Sequence, residues 1–266
     1  AVLWSPFFVS FAVGQLYLPS QSAWLGIIFG LLVALLFNLI SMRFLIGKFT
    51  LNYLIEAISC VKPIFPRLLI LSISVLAVGQ IFDKTALNAI VIVVPVLVIV
   101  QMLRRPETIK SIISNLNNLI LKSGDEMLLI SVSMFLGSIL SGSVEIQNFM
   151  SNNIGNNFPF WAMIILLPLI VWIFGLIGIH PIITSAPILS LFGPLLSLWE
   201  AAFLMQAHLI GWCAGTATSF TSLSILTTAE NFRLHISKLV LGPNLFATGC
   251  LTFIGAILLI TLNYLF

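Results

Sequence analysis

The sequence predicts an all-α, polytopic transmembrane protein with a re-entrant hairpin and a broken helix, and three observations lead there. Of 266 residues, 60% are apolar and only 7% are charged, whereas about a quarter of the residues in a soluble domain carry charge. The apolar residues fall into successive runs close to the roughly 20 residues that a helical span of a bilayer requires. Two stretches of the C-terminal half, at 178–185 and 211–222, break those runs with glycine, proline and hydroxyl residues.

Taken in order, residues 3–18 and 23–42 form two spans, separated by the turn-like group Pro19-Ser20-Gln21-Ser22. Residues 43–67 mix Arg43, Lys48, Lys62 and Arg67 with Phe44, Leu45, Phe49 and Leu51, a pattern that suits an interfacial helix. Two further spans, 68–82 and 85–103, are parted by Asp83-Lys84, which a single continuous span would not tolerate. Residues 104–125 set Ile109, Ile112, Ile113, Leu116 and Ile120 at helical spacing beside Lys110 and Lys122, a second surface-lying helix. A span over 127–142 precedes an asparagine-rich stretch, 145–157, that reads as a loop.

From there, 160–177 is apolar, Gly178-Ile179-His180-Pro181 interrupts it, and 182–196 resumes with Pro187 and Pro194 inside. Residues 199–213 read as helix, 214–224 are dense in small and hydroxylated residues, and 226–244 are polar and basic. A last span covers 245–266. Ten of the eleven basic residues lie in 43–67, 104–122 and 233–238, and short loops rich in Lys and Arg face the cytoplasm. These loops share one side if 160–196 enters and returns and 199–228 crosses once. The formal charge of +3 says nothing more about partners.

Backbone that is not helical at membrane depth must face protein or a water-filled cavity. Around the first interruption Gly178 permits a turn, Pro181 removes a donor, and His180, Thr184 and Ser185 offer polar groups. The second, opening at Gly211 and Gly215, holds Thr216, Thr218, Ser219, Thr221 and Ser222. Such oxygens suit hard cations, and half-helix N-termini suit an anion; the bland reading is close helix packing with hydroxyls bonded back to their own helix. His180, His208 and Glu200 are the ionisable residues within spans and are candidates for coupling. Glu200 and His208 stand about 12 Å apart by helical rise, and Glu200 also fits the outer interface.

Cys60, Cys213 and Cys250 make neither a CxxC pair nor a zinc-spaced cluster, and no metal is expected beyond a Na+ ion. No GxSxG, HExxH, Walker loop or paired intramembrane aspartate points to an enzyme. Basic residues dispersed among loops that topology already explains argue against a nucleic-acid surface. The chain opens at Ala1 inside an apolar run, so an upstream portion is expected.

The order of interrupted runs, Gly178 to Ser185 followed by Gly215 to Ser222, resembles the C-terminal half of a permease of the ion transporter superfamily, which includes divalent anion/sodium symporters and arsenite-type permeases. The resemblance implies two inverted repeats, each with a re-entrant hairpin and a helix broken at mid-membrane. Residues 1–42 would end the first repeat, with Ser5 at its break, 43–67 would link the repeats, and 68–266 would hold the second. In that repeat the hairpin is 160–196, the broken helix 199–228 and the final span 245–266. It implies a homodimeric, multi-pass protein of a bacterial or archaeal cytoplasmic membrane, moving a small anion coupled to Na+ or H+. The family's Ser-Asn-Thr signature is absent, since Gly215-Thr216-Ala217-Thr218 lacks the asparagine. The alternative is a membrane-embedded accessory subunit with no transport site of its own.

Overall fold

The structure, a computed structural model, describes residues 3, 9–18, 28–30, 32–35, 59, 62–63, 65–82, 86–104, 124, 127–128, 131–152 and 158–265. The fold is all-α: every regular element among these residues is helical. The chain divides into two compact units, 39–126 and the remainder. Ser5, the Asp83-Lys84 turn, and nearly all of the two basic segments expected to lie on a membrane surface fall outside the described residues.

The larger unit begins with α1, Val9–Tyr17. Later come α4, Ser131–Gly142, and α5, Val144–Met150. The smaller unit holds α2, Phe65–Ile81, and α3, Ala86–Arg104, packed on each other. Val91, Ile92, Val96, Ile99 and Leu103 of α3 are all exposed in that unit.

Helix α5 corrects the loop expected for the asparagine-rich stretch. Ser143 accepts from the Ile146 N–H as N-cap and Glu145 occupies the first turn, a helix start that outweighs the local asparagines. Residues 153–157 of that stretch lie outside the described residues.

The core of the larger unit is built on four helices: α6, Phe160–Leu176; α7, Pro181–Phe192, with a 3-10 turn Gly193–Leu195 behind it; α8, Leu198–Thr218; and α11, Pro243–Leu265. Two short helices, α9, Leu223–Phe232, and α10, Ile236–Val240, stand between α8 and α11. Helix α8 is central. It packs on α6, α11, α1 and α7, and residues from Ala201 to Trp212 are buried without a break. Phe203 stacks on Phe29 with ring centroids 4.9 Å apart.

Glycines set the approach of α6 to α8. A Cβ on Gly211 would stand 2.7 Å from the Pro168 Cα, and one on Gly175 would stand 2.7 Å from the Gly215 Cα. Because 168 pairs with 211 and 175 with 215, the two helices run parallel. Helix α11 opposes them: Gly249 meets Trp172, while Gly255, further along, meets Ile210.

Helix α11 is inside-out by the standards of a soluble protein. Its buried face carries Thr248, Gly249, Thr252, Gly255 and Ala256 beside Leu251 and Leu259. Its exposed face carries Phe246, Phe253, Ile254 and Ile257. Together with α10 it makes a 30-residue stretch, Ile236–Leu265, that is long and apolar enough to cross a membrane. The other apolar helices are shorter, and α8, with 21 residues, includes Glu200, Gln206 and His208.

Candidate functional site

The first interruption is a hairpin tip. Helix α6 ends at Leu176, Gly178 adopts φ +92°, and His180 caps α7 by accepting the Ile182 N–H on Nδ1 at 3.3 Å. Glycine is needed there because a left-handed backbone strains any residue with a Cβ. Pro181 occupies the first turn of α7, where its missing N–H costs nothing. Thr184 Oγ1 donates to the Pro181 carbonyl at 3.0 Å. Ser185 is fully buried and its hydroxyl has no partner among the described residues.

The second interruption lies further along than the sequence suggested. Helix α8 continues through Thr218, and Ser219 (φ −85°, ψ 130°) is the first extended residue. Gly215, Thr216 and Thr218 are therefore helical. Thr216 Oγ1 donates to the Trp212 carbonyl at 2.8 Å, and Thr218 Oγ1 to the Ala214 carbonyl at 2.8 Å. Both hydroxyls are held by their own helix, and the glycine serves contact with α6. The break is 219–222. Ser219 and Thr221 share a hydrogen bond of 3.0 Å, and Ser222 caps α9 by accepting the Ile225 N–H at 3.4 Å.

The two interruptions, 43 residues apart in sequence, meet. Thr221 Oγ1 donates to the Gly178 carbonyl at 2.9 Å. This brings the tip that opens α7 against the segment that opens α9. Their height follows from Trp172, whose Nε1 donates to Thr248 Oγ1 at 3.1 Å. Gly178 lies about 9 Å beyond Trp172, and Pro243 about 7.5 Å before Thr248 on an antiparallel helix. The joined interruptions are thus level with the first turn of α11 rather than with its middle.

The polar residue at mid-height is His208, ten residues from either end of α8. It is fully buried, and its Nε2 lies 2.8 Å from the Ser10 carbonyl of α1. A carbonyl only accepts, so Nε2 carries the proton and Nδ1 of the neutral ring is a bare acceptor. Among the described residues, that Nδ1 has no partner, nor does the buried Ser10 hydroxyl. Trp212 presents an edge-on contact to His208 (5.4 Å) and another to His180 (5.6 Å). Glu200 belongs elsewhere. Its carboxylate accepts from the Ser197 N–H (2.9 Å) and hydroxyl (2.7 Å) in a capping box at the start of α8, which accounts for it without a coupling role.

At the end of α7 remote from the tip, Tyr17, Ser138, Ser141 and Ser190 help line a cleft of about 310 Å³. Tyr17 donates to the Met134 carbonyl at 3.3 Å. Gln147 Nε2 donates to the Ser190 carbonyl at 3.2 Å, leaving its buried Oε1 without a partner. No group of three or more His, Cys, Asp or Glu side chains is placed to hold a metal among the described residues.

Sequence reasoning located the turn at Gly178 and singled out His208, which is buried, and placed the second interruption four residues early. It missed Ser10, the cleft, and the glycine contact that explains Gly215. No family model, no curated protein and no solved structure matches this chain.

Proposed function

We propose that the chain is part of a multi-pass secondary active transporter that moves a small anion across a membrane with cation (Na+ or H+) coupling. The observation that carries this reading is a succession of polar groups along α7 at three heights. Gly178 and Thr221 stand at one end, the buried Ser185 hydroxyl lies along the helix, and Ser190 lines the Tyr17 cleft at the other end, while on the adjoining helices His208 of α8 meets Ser10 of α1. In a buried apolar setting each unpaired polar atom costs about 1–3 kcal/mol. Unpaired polar atoms on three packed helices, at Ser10, Ser185 and His208 among the described residues, are easier to account for as groups that meet water or a ligand than as packing.

Membrane insertion is supported by where charge is absent. Helices α1, α4, α6, α7 and α11 carry no Asp, Glu, Lys or Arg, and α8 carries only Glu200 in its first turn. From Glu200 to Ser219 this layer is about 28 Å high by helical rise, close to the roughly 30 Å of a hydrocarbon core. The inside-out α11 and the exposed apolar side chains of α3 suit contact with lipid. An anion is favoured because two helix N-termini, of α7 and α9, meet at the joined interruptions. The resemblance to ion transporter permeases, homodimeric assembly and a cytoplasmic-membrane location belong to this same reading.

A second reading, an accessory subunit without a transport site, is favoured by Thr216 and Thr218, whose hydroxyls are spent on their own helix. Gradient-driven uptake of small anions into proteoliposomes containing the full chain separates the two. The transporter takes up solute under an imposed Na+ or H+ gradient. A folded, reconstituted protein that moves none of the anions offered contradicts it.

A further inference from the structure

We propose that the junction of α1, α7 and α8 is a proton-binding site, with His208 Nδ1 as the acceptor. The inference rests on the transporter reading and names its coupling ion. All three helices pack on one another. His208 is tied to Ser10 through the Nε2 bond to its carbonyl. Ser185 lies on α7 between Ile182 and Ala186, which form one buried cluster with Val13 of α1 and Trp212 of α8. Ser10, Ser185 and His208 are each at most 1% exposed. Each has a polar atom without a partner among the described residues.

The chemistry of these atoms selects among cations. Hard cations take about six oxygen ligands, and the unpartnered polar atoms of these three helices that bear on the junction are, among the described residues, two hydroxyls and one imidazole nitrogen. The neighbouring acids are distant from the junction: Glu200 is in the capping box at the start of α8, and Glu230 is exposed on α9. A proton needs one lone pair, and Nδ1 supplies it. Hydronium gives up H+ to Nδ1 and leaves as water, and the ring becomes a cation that keeps its Nε2 bond to the Ser10 carbonyl. Loss of the proton restores the neutral ring.

Other titratable groups on the surrounding helices are sparse. Tyr17 on α1 donates to Met134, His180 caps α7 beyond Trp212, and Cys213 lies on α8 itself. Helix α6 has none, α11 has Cys250 and Tyr264, and α9 and α10 bring Glu230 and Lys238, with Arg233 and His235 between them.

The test is 15N NMR of histidine-labelled full chain in lipid nanodiscs, from about pH 8 to about pH 4, a range that spans the ordinary imidazole value near 6.5. The chain has three histidines. Subtracting the other two with His180→Asn and His235→Asn assigns His208 without requiring a variant at that buried position to fold. The expected result is a His208 ring protonated on Nε2 alone at high pH that gains a proton on Nδ1 within the range. A ring protonated on Nδ1 at high pH, or one whose Nδ1 stays bare throughout, overturns the proposal. Because the spectrum needs no solute, a negative uptake assay and a negative titration fail different claims.

Discussion

Replacing Gly175 by alanine tests the parallel packing of α6 on α8 that positions both interruptions. The added Cβ would lie 2.7 Å from the Gly215 Cα, 2.9 Å from its carbonyl oxygen and 3.1 Å from its carbonyl carbon. All three are backbone atoms and cannot rotate away. Restoring the shortest contact to the ~3.5 Å of touching carbons requires the helices to part by about 0.8 Å. Overpacking of a tight core costs about 1–3 kcal/mol, and a clash with backbone alone places this variant near 3 kcal/mol. Alanine's helix propensity returns little if the unfolded state in detergent keeps its helices. The assay is thermal unfolding of the purified full chain in micelles, with an expected drop of roughly 6–12 °C. Gly142→Ala, where nothing lies within 4 Å of the new Cβ, is the control and should leave the midpoint within about 2 °C. A Gly175→Ala protein as stable as wild type would refute the close approach and the alignment of the two interruptions derived from it.

Gly178→Ala forces a Cβ onto φ +92° and should cost about 1–2 kcal/mol, measured in the same unfolding assay; an unchanged midpoint would remove the tight turn at the tip. Thr221→Val keeps side-chain shape but loses the bond to the Gly178 carbonyl. Proteoliposome uptake should fall severalfold while stability changes by no more than about 1 kcal/mol. Thr218→Val, whose hydroxyl only bonds back along α8, should leave uptake within about twofold and stability within about 0.5 kcal/mol. Equal effects of the two valine variants on uptake would count against the joined interruptions as the working part.

The hairpin tip was legible because its chemistry is local. A glycine that must take a positive φ, followed by proline at a helix start, marks a turn in any context. Helix α8 shows the opposite case. Gly215 and Thr216 look like breakers in sequence, yet the glycine is there for a neighbour 40 residues away and the threonine satisfies itself on the helix. Neither choice can be told from a break without knowing what α6 does. The junction around His208 was half legible. A buried histidine in an apolar run stands out, but its partner Ser10 lies 198 residues upstream and nothing in the local pattern of α1 distinguishes that serine. Helix α5 was hidden by composition, since asparagine argues for a loop while one capping serine and one glutamate decide for a helix.

The central claim is that a polar path reaches mid-height between α1, α7 and α8, and Ser185→Cys probes it most directly. The variant is made in a chain with Cys60, Cys213 and Cys250 replaced by alanine, reconstituted in vesicles and treated with a membrane-impermeant thiol reagent. The account predicts that Cys at this fully buried position is labelled, and that an anion taken up by the protein slows the labelling. A Cys at 185 that stays unlabelled, while one introduced at the exposed Asn148 of α5 reacts readily, would mean that the junction is closed packing and that the chain is an accessory subunit.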